Sequence, residues 1–70
     1  MTVVVLNGEP RELPAEATVA AAVRLAGAPT GGRGVAVALD GEVVPRGEWT
    51  TTELREGQAL EVLRAVQGGS

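Results

Sequence analysis

The sequence predicts an α+β domain: one mixed sheet of about five strands with a single helix packed across it. Three observations predict it. Runs rich in Val recur at Thr2–Leu6, Val35–Leu39 and 59–66. Two of these runs end in a two-residue hairpin signal, Asn7-Gly8 and Asp40-Gly41. Between them lies one stretch of helical periodicity, Val19, Ala22, Val23 and Ala26, at i, i+3, i+4 and i+7.

Each element has its local reason. Thr2–Leu6 is β-branched and suits a pleated, half-buried surface. Asn7-Gly8 tolerates positive φ at both positions, as the tight hairpin turn demands. The return strand runs to Leu13, and Pro10 within it predicts a sheet edge, because proline has no N–H to give a second neighbour. Pro14 closes that strand, and Thr18 is placed to cap a helix with its hydroxyl. Ala20, Ala21 and Leu25 add helix propensity, so a helix of about three turns is expected. Gly27 fits the position just past its end, and Pro29 prevents continuation.

Residues 28–34 are rich in Gly and Pro. Gly31, Gly32 and Gly34 around Arg33 lack the Lys-Ser/Thr and the preceding strand of a phosphate-binding loop, so a surface connection is the reading. Val35–Leu39 is the next strand, Asp40-Gly41 turns it, residues 42–44 return, and Pro45 stops them. Residues 46–56 are polar, with Trp49 as anchor and Leu54 turned inward; Gly57 makes the next turn. In the last strand, 59–66, the alternation of large apolar residues fails at Leu63. Either both faces of that strand are covered or one meets a partner. It is expected centrally, beside the first strand, so that residues 1–66 form the domain and 67–70 a flexible tail. Strand, strand, helix and three strands in that order make the β-grasp, or ubiquitin-like, arrangement.

Composition narrows function by exclusion. The 70 residues are enough for one small domain. Ala and Val supply 11 residues each and Leu seven, with no Ile, Phe or Tyr, so Trp49 is the single large core candidate. The net charge is −3 and every cation is Arg, which disfavours nucleic acid and anionic membranes as partners. A basic face on a partner protein is the better complement. No apolar run is long enough to span a bilayer and no signal peptide is visible, so the cytoplasm is the expected compartment. There is no His and no Cys, hence no customary general base, thiol nucleophile or soft metal ligand. A carrier, rather than an enzyme, is the expectation; no catalytic or metal-binding residue is assigned.

The stretch Val35-Ala36-Val37-Ala38-Leu39-Asp40-Gly41-Glu42-Val43-Val44-Pro45-Arg46, followed by Trp49, carries a resemblance. So do the opening Val3-Val4-Val5-Leu6-Asn7-Gly8-Glu9, the helix start Thr18-Val19-Ala20 and the closing Gly68-Gly69. Together they resemble ThiS, the ubiquitin-like sulfur carriers of thiamine thiazole synthesis, over essentially the whole chain. The resemblance implies that the carboxyl of Gly69, on a tail with Gly68, is adenylated and then converted to a thiocarboxylate. The implied partners are an adenylating enzyme similar to ThiF, which uses Mg-ATP, a sulfur donor protein, and a thiazole synthase similar to ThiG that accepts the sulfur. The chain itself would bind no cofactor.

Ser70 departs from the family pattern, which ends on the second glycine. It locks the Gly69 carbonyl in a peptide bond. Removal by a protease, an artificial addition, and a copy that carries no sulfur stand as three readings. Arg46, Leu63 and Arg64 are candidates for docking a partner. Against them stand a turn arginine, burial under a loop and a solvated strand residue, respectively. Sulfur carriers for molybdopterin or cysteine synthesis share the fold and the glycine end, but the Val-Pro-Arg-x-x-Trp stretch favours the thiamine branch. A non-catalytic β-grasp binding module is the alternative outside the carrier class, although such a module has no use for a glycine tail.

Overall fold

The computed structural model describes residues 1–27 and 34–64. Strands β1 (Thr2–Leu6) and β2 (Glu9–Leu13) form the first hairpin, followed by helix α1 (Val19–Leu25). Strands β3 (Val35–Leu39) and β4 (Glu42–Val43) form the second hairpin. A short 3-10 turn, Arg46–Glu48, leads to β5 (Ala59–Arg64). The sheet order is β2-β1-β5-β3-β4. β5 lies parallel to β1 and antiparallel to β3, with all other pairs antiparallel. The last strand therefore sits at the centre, and β2, which carries Pro10, is an edge, both as the sequence predicts. The helix lies in the chain between the edge strand β2 and β3, which stand on opposite sides of the central β5.

Both hairpins turn as expected. Asn7 and Gly8 have φ of 50° and 85°, and Asp40 and Gly41 have 49° and 88°. These paired positive values match the right-handed twist of the flanking strands. The core lies between the helix and one sheet face: Val4, Leu6, Val37, Leu60 and Val62 from the strands meet Val19, Ala22 and Val23 from the helix. Trp49 and Leu54 close it from the connecting segment. Among the described residues no charged or polar side chain is buried. Stability thus rests mainly on Val and Leu side chains, each contributing about 1.5–3 kcal/mol when fully buried, with Trp49 the one large group.

Two expectations for the helix are corrected. It spans seven residues, two turns rather than three, because Ala26 is already the C-cap and Gly27 follows with φ of 80°. And Thr18 occupies the N-cap without a side-chain capping bond. The early helical N–H groups find backbone carbonyls instead. Val19 donates to Thr52 O at 2.9 Å and Ala20 to Trp49 O at 3.0 Å. Thr18 is held in an isolated bridge with Glu53, fixed by Leu54 N–H to Ala17 O at 2.8 Å. With a strand-like neighbour supplying acceptors, the hydroxyl is not needed for the orphan donors.

That arrangement accounts for the Val-Pro-Arg-Gly-Glu-Trp segment at 44–49. Val44 donates to Val37 O at 2.9 Å as it leaves the second hairpin. Pro45 sets an extended φ of −60° and ψ of 146° ahead of the 3-10 turn. Trp49 then folds back, is buried, and its indole Nε1–H donates to Val44 O at 2.9 Å. Its own carbonyl accepts from the helix at Ala20. Trp49 is the packing anchor the sequence predicts.

Candidate functional site

The candidate site is the end of β5 and the faces around it. β5 is the central strand; β1 pairs with its first half, at Ala59 and Leu60, while β3 pairs along it as far as Arg64. Gly68, Gly69 and Ser70, the residues on which the carrier expectation rests, lie outside the described residues, as does the boundary at 66 and 67. The glycine-rich connection is outside them too, except Gly34.

The side-chain alternation of β5 is regular. Leu60 and Val62 are buried beneath the helix, while Ala59, Glu61 and Leu63 face the other way. Leu63 is 64% exposed on the open face of the sheet. Across the ladder it pairs with Ala36, and Ala38 two residues on pairs with Val43, which is 77% exposed. Leu63, Ala36, Ala38 and Val43 therefore form an apolar strip on the uncovered face, flanked by Glu61, which pairs with Ala38. Of the readings open for Leu63, burial under a loop is not what the structure shows.

The other docking candidates lie elsewhere. Arg64 pairs with Val35 and alternates onto the helix side of the sheet, where it is exposed at the strand end. Arg46 is exposed on the 3-10 turn beside the helix start. Its backbone carbonyl accepts from Trp49 N–H at 3.2 Å. The three candidates therefore do not converge on one patch: Leu63 faces opposite to Arg64, and Arg46 lies on the separate 3-10 turn near the helix start.

Two residues that the sequence reading takes only as turn formers prove to hold β5. At its start, Asp40 N–H donates to Ala59 O at 2.7 Å, and Asp40 Oδ1 accepts from Ala59 N–H at 2.9 Å. Asp40 Oδ2 also accepts from Gln58 Nε2 at 3.2 Å. Farther along, β1 ends at Leu6 and Asn7 N–H donates to Leu60 O at 2.9 Å. The Asn7 side chain then continues the ladder alone: Oδ1 accepts from Val62 N–H at 2.8 Å and Nδ2 donates to Val62 O at 3.3 Å. Both hairpin turns thus reach the central strand from opposite sides. The signal in the sequence is a polar first turn residue, in each case able to bond beyond its own hairpin.

Among the described residues no cluster of metal-ligating side chains occurs, and no helix is long and apolar enough to cross a membrane. A mixed five-stranded sheet with one helix and a central last strand defines a ubiquitin-like β-grasp protein. The chain belongs to the ThiS family, whose model matches residues 4–69. It is similar to the crystal structure of the thiamine biosynthesis protein ThiS from Geobacter metallireducens, with 28% identity and a TM-score of 0.75. That match covers 97% of this chain and all of the other. No curated protein matches the sequence.

Proposed function

We propose that this protein is a sulfur carrier of thiamine biosynthesis, loaded at the carboxyl of Gly69. One observation carries the reading: the ThiS family match spans residues 4–69 and so runs through both glycines of the tail. The similar ThiS structure from Geobacter metallireducens is itself named a thiamine biosynthesis protein, which supports the pathway. The residue inventory supports a carrier over a catalyst, since a chain without His or Cys must take both base and thiol from its partners.

The chemistry follows from the group. A carboxylate is a poor acceptor for sulfur because oxide would have to leave. An adenylating enzyme of the ThiF kind overcomes this: the Gly69 carboxylate attacks the α-phosphorus of Mg-ATP and pyrophosphate leaves. Hydrosulfide-level sulfur from a donor protein then attacks the acyl carbon, AMP leaves, and a thiocarboxylate remains. A thiazole synthase of the ThiG kind takes the sulfur. Glycine at 68 and 69 lets the backbone pass close to the walls of a partner's channel. The carboxyl becomes available when Ser70 is removed.

The open-face strip at Leu63, Ala36, Ala38 and Val43 is the docking surface in this reading, continuous with the strand that delivers the tail. Arg64 steers the adjoining segment toward an acidic channel, and Arg46 makes a separate contact near the helix. The test is direct. Chains ending at Ser70 and at Gly69 are incubated with a ThiF-type enzyme, ATP and a sulfur source, then weighed intact. Exchange of one oxygen for sulfur on the Gly69 form supports the reading. Absence of adenylate and thiocarboxylate on both forms refutes it, and sulfur transfer to molybdopterin rather than thiazole precursor would reassign the pathway.

A further inference from the structure

We propose that Asn7 is a positioning residue for the carrier: its carboxamide clamps Val62 and so holds the end of β5 that precedes the tail in sequence. The inference rests on the carrier reading above and adds a residue to it. The ladder beside β5 has a gap. β5 continues through Arg64, but β1, its neighbour on one side, ends at Leu6 and turns away. On that side the last regular rung is Asn7 N–H to Leu60 O. Without a further partner, the N–H and C=O of Val62 would face the turn unpaired. The Asn7 carboxamide supplies both missing partners, an acceptor at 2.8 Å and a donor at 3.3 Å. One side chain thus acts as a surrogate strand residue, extending β1's pairing by a rung toward the tail.

The choice of residue fits the task. Both hairpins need a first turn residue that accepts positive φ, and both Asn and Asp do. At position 40 the facing groups, Ala59 N–H and Gln58 Nε2, are both donors, which a carboxylate matches. At position 7 the facing groups are one donor and one acceptor, which only the amide matches. Asn7 and Asp40 are therefore not interchangeable, although either would make the turn. The clamp also lies on the rung next to Leu63, whose side chain belongs to the open-face strip. Fixing Val62 fixes the register of that strip with the departing chain, so strip and tail can engage one partner together with less ordering left to do on binding.

The test compares Asn7→Gly with Asp40→Gly. Glycine keeps each turn, since it accepts positive φ, while removing one clamp at the end or one at the start of β5. Amide hydrogen exchange is followed at Val62, Ala59 and Leu60. Asn7→Gly is expected to speed exchange at Val62 about tenfold relative to Leu60, with Ala59 unaffected. Asp40→Gly is expected to do the reverse. In adenylation by a ThiF-type enzyme of chains ending at Gly69, Asn7→Gly raises KM about tenfold and leaves kcat within about twofold. Asp40→Gly, an equally local change at the far end of the strand, leaves both near wild type. Unchanged Val62 exchange in Asn7→Gly overturns the clamp, and an equal KM rise in both variants overturns its positioning role. A wild-type chain that is not adenylated at all overturns the carrier reading and the delivery role with it. The exchange data would still decide whether the clamp exists.

Discussion

Replacing Trp49 separates structure from recognition in the segment that most resembles the family. The indole is 6% exposed and donates to Val44 O at 2.9 Å. Trp49→Phe keeps most of the ring but removes the donor, leaving a carbonyl without that partner at the edge of the core. Such an orphaned group costs about 1–3 kcal/mol. Trp49→Ala also opens a cavity and costs about 3–5 kcal/mol. A domain of 70 residues has a total stability of about 4–10 kcal/mol. The alanine variant therefore uses up most of that margin, while the phenylalanine variant folds with a reduced one. Urea unfolding followed by far-UV circular dichroism measures both, because the tryptophan signal is lost in each. With a slope of about 1 kcal/mol/M, the midpoint of Trp49→Phe falls by roughly 1–3 M. Arg46→Ala, three residues earlier and exposed, stays within about 0.5 kcal/mol of wild type. A Trp49→Phe midpoint within about 0.3 M of wild type would mean that the indole bond contributes nothing.

Other substitutions probe other links. Leu60→Ala empties a site at 0% exposure in the central strand and is expected to cost about 2–5 kcal/mol, read from the same urea titration. Gly27→Ala meets no atom within 4 Å, so its cost of about 1–2 kcal/mol comes from the φ of 80° alone. Gly27→Asn, which tolerates that conformation better, recovers part of the loss in a thermal melt. Leu63→Asp leaves stability within about 0.5 kcal/mol, since the side chain is solvated, yet raises KM with the adenylating enzyme at least about tenfold. An unchanged KM would remove the open-face strip from the docking surface.

The sequence exposes the sheet well because strands and turns here follow local chemistry. Pro10 marks the edge, and Asn7-Gly8 and Asp40-Gly41 mark both hairpins. Leu63 is legible as an exposed apolar residue because it breaks an alternation the backbone keeps. What the sequence hides is long-range partnership. The helix start draws its acceptors from Trp49 and Thr52, some thirty residues away, so a local capping rule names the right residue, Thr18, and the wrong bond. The same distance hides the two clamps: Asn7 meets Val62 and Asp40 meets Ala59 only once β5 is inserted between the hairpins. Apolar periodicity runs through Ala26, one residue past the helix, because Ala26 serves as the cap. Arg46, Leu63 and Arg64 share a role in the sequence reading but part company in the fold, since neighbours on a strand face opposite ways.

In the proposed function the carboxyl of Gly69 carries sulfur. Intact mass of the chain ending at Gly69, after incubation with ATP, a ThiF-type enzyme and a sulfur donor, tests it most directly. The expected mass change is that of one oxygen replaced by sulfur, lost again when a ThiG-type synthase and its substrate are added, with no change on the chain retaining Ser70. An unchanged mass on the Gly69 form, with the enzyme active on an established carrier alongside, would contradict it.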